Sequence, residues 1–191
     1  MKLTKEEKSF LYQWFSNVLG HELSEEQLQQ YQDGLFNPLF LLLSEEGFDD
    51  SVQKIKQDLN TLKVLPFAHL ELAADFTELF LLSGEVSALP YSSVYIDEDK
   101  LFDHLGFMDT LLAKFRLQVN KENKEPSDHI CVYLEILRKF VEEGTEEEQS
   151  EFIKDYLLPW LIPFNEKLQI IETKTKFYQN IMALLIAILT K

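Results

Sequence analysis

The chain has 191 residues, and 46% of them are hydrophobic, so it is long and apolar enough to bury a sizeable core. Aspartate and glutamate number 33 against 18 lysines and arginines, and the formal net charge of −15 favours cationic partners. Nucleic acid is a poor candidate as a partner, because phosphate neutralisation requires a basic stripe that this sequence lacks.

A single cysteine, Cys131, excludes an internal disulfide and a thiolate cluster for zinc or iron–sulfur ligation. The first residues are charged and contain no apolar core of the kind a secretory signal requires. Near the other end, Ile181 to Leu189 is an apolar run less than half as long as the roughly 20 residues that span a bilayer. We interpret this run as a buried core helix. The expected protein is cytoplasmic, has no stable membrane insertion, and binds no metal or cofactor.

Apolar residues recur at helical spacing, as at Phe10, Trp14 and Val18, and period-two alternation is rare. The predicted fold class is all-α, a bundle of about ten helices in two lobes joined by a hinge. In chain order the predicted helices cover residues 5–19, 25–32, 36–44, 49–62, 67–82, 98–105, 108–118, 127–142, 146–158, 160–172 and 175–189. Thr4 with Glu7, and Ser24 with Gln27, have the spacing of capping boxes and mark two helix starts.

Two stretches show little helical pattern. Ser83–Tyr95 contains a glycine and a proline, and the stretch 118–126 is polar and charged. We expect a hinge at 119–126, with an N-terminal helical lobe over 1–118 and a C-terminal helical lobe over 127–191.

The first of these stretches forms a tyrosine-rich loop that holds Pro90, Tyr91 and Tyr95. Tyrosines provide a large amphipathic contact area at low entropic cost, and loops on rigid scaffolds are common binding sites. The loop therefore either recognises a ligand or covers the bundle with its tyrosines, and the pattern does not separate the two interpretations.

Asp75 lies on an apolar helix face between Leu72 and Leu79, where a carboxylate needs a partner or a solvent-accessible groove. It could brace the Ser83–Tyr95 loop by accepting hydrogen bonds, or it could face a cationic ligand. The pattern favours the brace.

A second polar cluster surrounds a predicted helix start, where Pro126 and Ser127 open the helix and Asp128 lies in its first turn. Glu125, Asp128 and His129 could bind the charged or amide groups of a peptide beside the hinge. The alternative is capping alone, which the pattern by itself favours.

Signals of catalysis are few, and we predict that the protein is not an enzyme. The sequence contains no Walker-type phosphate loop and no GxGxxG, HExxH or GxSxG motif. The four histidines are scattered without ligand spacing. A hydrolase that uses carboxylates and His129 is an alternative with no specific support.

Two motifs resemble signatures of the TorD/DmsD family of cytoplasmic chaperones. They comprise Ala73, Ala74, Asp75, Phe76, Leu79, Phe80, Ala88, Leu89, Pro90, Tyr91, Ser93 and Tyr95 in the first, and Glu125, Pro126, Asp128, His129, Leu134 and Glu135 in the second. The second is similar to the family's acidic-Pro-x-Asp-His helix start, and the first is closer to TorD members than to DmsD members. Two motifs in the expected order are more specific than either alone.

This resemblance implies an all-helical chaperone of molybdoenzymes that binds the twin-arginine signal peptide and the apo form of a TorA-like trimethylamine N-oxide reductase. By the same resemblance, we expect it to promote insertion of the molybdenum cofactor before export by the Tat pathway. The resemblance also implies a monomer that can form a domain-swapped dimer. The implied peptide-binding residues are Asp75, Phe76, Pro90, Tyr91, Tyr95, Glu125, Asp128 and His129. The alternatives are a chaperone for a different molybdoenzyme and a helical adaptor for another amphipathic helix, which would be indifferent to paired arginines.

Overall fold

The computed structural model describes residues 3–117 and 127–191. Within these residues the chain forms ten α-helices and no β-strand, so the predicted all-α class is confirmed. The helices are α1 Lys5–Gly20, α2 Glu25–Gln32, α3 Asn37–Leu43, α4 Asp49–Leu62, α5 Ala68–Phe80, α6 Glu98–Lys114, α7 Ile130–Glu143, α8 Glu146–Glu151, α9 Leu158–Ile170 and α10 Phe177–Leu189. Short helical turns at Ser44–Phe48, Ser92–Val94 and Phe152–Leu157 complete the helical structure of these residues.

The first two helices are capped as the side-chain spacing predicts. Before α1 the amide of Thr4 donates to Glu7 Oε2 at 2.8 Å, and the amide of Glu7 donates to Thr4 Oγ1 at 3.2 Å. Ser24 forms the same reciprocal pair before α2, so both predicted capping boxes are confirmed. A third box, which the sequence analysis missed, joins Thr145 and Glu148 at the start of α8.

Helix α6 corrects the prediction of two helices at 98–105 and 108–118. The chain continues as one helix through Gly106, where an added Cβ would meet no atom within 4 Å. Gly106 therefore lies at an exposed helix position and causes no break. The helix ends at Lys114, two residues before Arg116, which has a left-handed φ of 53°.

The described chain divides into two compact units that combine distant parts of the sequence. The first unit contains His21–Leu89 and Asn165–Lys191, and the second contains Leu3–Gly20 and Pro90–Phe164. The predicted hinge at 119–126 lies outside the described residues, so the division into lobes at that hinge stays a prediction.

Each unit has its own helical core. In the first unit α10 packs against α4, and the side chains from Ile181 to Leu189 are largely buried, which confirms the interpretation of that run as a core helix. In the second unit α1 packs against α7, and the largest fully buried side chains there include Trp160 and Tyr133. Over residues 3–117 and 127–191, no helix is both long and apolar enough to cross a membrane.

Candidate functional site

Parts of the two sequence motifs meet in the second unit, where the end of the tyrosine-rich loop, from Pro90 on, pairs with the residues that precede α7. The amide of Ile130 donates to the carbonyl of Pro90 at 2.9 Å, and the amide of Ser92 donates to the carbonyl of Asp128 at 3.0 Å. These two bonds form an isolated antiparallel bridge. Residues almost forty positions apart in the chain therefore share one small site.

The backbone pairing explains why α7 begins later than predicted. Asp128 lies before the helix rather than in its first turn, and His129 is the N-cap residue. The Nδ1 atom of His129 accepts a hydrogen bond from the amide of Cys131 at 3.3 Å. Because His129 is extended and pairs with the loop, the helical conformation starts at Ile130.

The side chains of the bridge connect the same two segments. The rings of Tyr91 and His129 meet edge to face, with centroids 5.1 Å apart. The Oδ2 atom of Asp128 accepts from the amide of Ser93 at 3.1 Å. Asp128 and His129 are each only 5% exposed, whereas Tyr91 is half-buried and Ser93 is exposed. The loop therefore forms the accessible part of the site, and the two polar residues of the second motif lie beneath it.

Beneath the loop a chain of hydroxyl and imidazole groups reaches into the unit. The Tyr133 hydroxyl donates to Ser92 Oγ at 2.8 Å, and His104 Nε2 lies 2.6 Å from the Tyr133 oxygen. Burial raises the pKa of Tyr133 well above its ordinary value, and burial lowers the pKa of His104. The sequence analysis assigned none of these three residues to the site. The available signal was the polar hydroxyl of Tyr133 on the apolar face that also contains Ile130 and Leu137.

Tyr95 lies at the end of the loop and packs on aromatic residues of α9. Its ring is 6.4 Å from the ring of Trp160 in a near-parallel arrangement and 5.7 Å from the ring of Phe164. Burial raises the pKa of Tyr95 to about 12. Aromatic packing thus anchors this end of the loop in the second unit.

Asp75 is a brace in the first unit, but its partners differ from those expected. Its carboxylate accepts from the amides of Lys174 at 2.7 Å and Thr175 at 2.9 Å, and from the Thr175 hydroxyl at 2.6 Å. The expected bonds from the Ser83–Tyr95 loop are absent among those the structure describes for Asp75. The Asp75 carboxylate instead orders the turn at Lys174 and Thr175, which leads into α10.

Phe76 belongs to the core of the first unit rather than to an open surface. It is 5% exposed, and its ring lies 4.8 Å from Phe80 and 5.3 Å from Tyr178.

The predicted site residues therefore fall into two groups. Pro90, Tyr91, Tyr95, Asp128 and His129 belong to the second unit, whereas Asp75 and Phe76 belong to the first. Glu125 lies outside the described residues. In the parts of the chain that the structure describes, no group of three or more histidine, cysteine or acidic residues could hold a metal ion.

Known proteins with similar sequences include a protein family and individual chaperones. The family model described as nitrate reductase delta subunit matches residues 44–166. The chain is 52% identical over 189 residues to the chaperone protein TorD of Pasteurella multocida, covering 99% of this chain and 96% of that protein. The TorD of Histophilus somni is also 52% identical over 189 residues, covering 99% of this chain and 98% of that protein.

The fold also has a solved relative. The crystal structure of an Archaeoglobus fulgidus protein, provisionally named a redox enzyme maturation protein, superimposes with a TM-score of 0.56 at 22% identity. The match covers 100% of this chain and 96% of that chain, and it supports the all-helical fold. The matches to the two TorD chaperones, at 52% identity over 99% of this chain, show that the chain belongs to the TorD family.

Proposed function

We propose that this protein is a cytoplasmic chaperone that binds the twin-arginine signal peptide and the apo form of a TorA-like trimethylamine N-oxide reductase. It holds the reductase for insertion of the molybdenum cofactor before Tat export, and it acts by binding rather than by turnover. The observation that supports the proposal is the pairing of the loop of the first motif with the Asp128–His129 segment of the second motif through the Tyr91–His129 bridge. Full-length similarity to proteins named chaperone protein TorD supports the same function.

The chemistry of the site suits an extended basic peptide. Tyr91 offers a half-buried ring, and Ser93 and Val94 expose the edge of the loop beside it. The net charge of −15 attracts the arginines of the peptide over long range. Asp128 and His129 act from below, because their side chains hold the loop and the start of α7 in place.

The test is a calorimetric titration with three peptides: the twin-arginine signal peptide of a TorA-like reductase, a copy with a scrambled apolar segment, and a copy whose paired arginines are lysines. We expect tight binding of the first peptide alone, because lysine keeps the charge but loses the planar, bidentate donor set of arginine. Equal binding of the arginine and lysine copies would instead indicate a helical adaptor. Equal binding of all three would mean that charge alone attracts the peptides.

The variant Asp128→Asn tests the site itself. It should raise the dissociation constant by roughly tenfold, because the amide weakens a charge-assisted hydrogen bond that supports the loop. Asp97→Asn is the matched control, since Asp97 is an exposed aspartate of the same unit. If both variants bind as the wild type does, the peptide site lies elsewhere.

A further inference from the structure

The Pro90–Tyr95 loop is fixed at its centre from inside the second unit. Ser92 is fully buried, and it is held both by its amide, which donates to the carbonyl of Asp128 at 3.0 Å, and by its side chain. Ser92 Oγ accepts from the Tyr133 hydroxyl at 2.8 Å. The next two residues, Ser93 and Val94, are exposed. One buried serine thus determines where the accessible edge of the loop lies.

His104, Tyr133 and Ser92 form a continuous hydrogen-bond chain. The Tyr133 hydroxyl carries one hydrogen, and that hydrogen is directed to Ser92. His104 Nε2 lies 2.6 Å from the same oxygen, and with the Tyr133 hydrogen directed to Ser92 the imidazole completes the chain in the tautomer that is protonated at Nε2. The chain therefore runs from His104 in α6 through Tyr133 in α7 to Ser92.

Aromatic packing fixes the two ring-bearing members of this chain. The Tyr133 ring lies 4.9 Å from Trp160 and 6.1 Å from Phe152, and Tyr133 is fully buried. The His104 ring lies 5.6 Å from Tyr156. A hydroxyl fixed in this way can hold its acceptor at one position, because its ring has little room to rotate.

We propose that His104 and Tyr133 are positioning residues that hold the Pro90–Tyr95 loop in its peptide-binding conformation. The inference rests on the function proposed above and adds two residues that are not among those matching either motif. A loop ordered before binding loses less conformational entropy when the peptide arrives, so its order contributes to affinity without any direct contact.

The first experiment uses Tyr133→Phe, which keeps the ring and deletes only the hydroxyl. In the free protein we expect amide hydrogen exchange of residues 92–95 to become about tenfold faster, because the loss of one hydrogen bond corresponds to such a factor. Affinity for the twin-arginine signal peptide should fall about five- to tenfold. Tyr12→Phe is the matched control: Tyr12 is a buried tyrosine of the same unit whose oxygen accepts only a 3.5 Å bond from Gln149 in the described structure.

The second experiment changes the other end of the chain. His104→Leu should reproduce both effects, and His104→Gln should restore them toward wild type because its amide can donate to Tyr133. The double variant His104→Leu/Tyr133→Phe should bind no worse than Tyr133→Phe alone, since both changes interrupt one chain. A purely structural role predicts additive losses and no rescue by glutamine.

These measurements distinguish failure of the positioning role from failure of the proposed function. Unchanged exchange at 92–95 in Tyr133→Phe overturns the positioning role, and faster exchange with unchanged affinity overturns its importance for binding. If the wild-type protein binds no signal peptide, the proposed function fails and the role in binding fails with it. The exchange measurement needs no ligand, so it still decides whether the chain holds the loop.

Discussion

The hydrogen bonds that Asp75 accepts from Lys174 and Thr175 can be tested by mutation. The test also decides between a structural role and the ligand-binding role that the sequence left open for the same carboxylate. The perturbation is Asp75→Ala in α5. Asp75 is 1% exposed, and the change removes the acceptor of the Thr175 amide and hydroxyl, which are buried, and of the Lys174 amide near the surface.

The expected cost follows from the donors that lose their acceptor. Each buried donor left without a partner costs about 1–3 kcal/mol, whereas water can replace the acceptor at the exposed Lys174. We therefore expect Asp75→Ala to lower the free energy of unfolding by about 3–5 kcal/mol. Thr175→Val removes the hydroxyl donor alone and should cost about 1 kcal/mol.

The assay is urea unfolding, with the m-value checked so that only changes in the midpoint are interpreted. The control is Glu78→Ala, an exposed carboxylate of the same helix, whose change should stay within about 0.5 kcal/mol of wild type. A loss below about 1 kcal/mol in Asp75→Ala would refute the brace. If that variant also lost affinity for the signal peptide, the interpretation of Asp75 as a contact for a cationic ligand would gain support.

Three further predictions concern other parts of the chain. Gly106→Ala should raise the free energy of unfolding by about 1 kcal/mol in urea unfolding, because the position is helical, exposed and free of neighbours for a Cβ. Thr145→Ala should lower it by about 1 kcal/mol by removing the capping box of α8, and an unchanged midpoint would contradict that box. Because the pKa of His104 is lowered in the folded state, the unfolded state binds more protons than the folded state between the folded pKa and the ordinary value of 6.5. Stability should therefore fall as the pH drops through that value toward the folded pKa, and part of this slope should be missing in His104→Gln when unfolding is measured at several pH values.

Local chemistry made most of the helical structure predictable. The capping boxes at Thr4 and Ser24 require only residues three positions apart, so their geometry is already present in the sequence. The core helix at the C-terminal end was recognisable from its continuous apolar run. Gly106 misled the prediction, because a glycine at an exposed helical position looks in the sequence like a glycine that ends a helix.

The sequence indicated the two segments that meet at the Tyr91–His129 bridge but not their geometry. The resemblance to the family indicated the tyrosine-rich loop and the Asp128–His129 pair. It did not indicate that Asp128 and His129 precede the helix, since backbone pairing with the loop delays the start of α7. The sequence analysis also missed the chain of Ser92, Tyr133 and His104, because a hydrogen-bond chain across separate elements leaves no spacing pattern beyond the hydroxyl of Tyr133 on an apolar helix face.

The sequence by itself therefore determined the fold class, most helix positions, the acidic character and the residues that match the family, because each depends on composition or on neighbours within a few positions. Only the tertiary structure decided which distant residues act together. It placed Asp75 under the turn at Thr175 and brought Tyr91 to His129. The physical reason is that buried polar groups must find partners wherever the packed helices place them, and that placement depends on the whole core rather than on any local pattern.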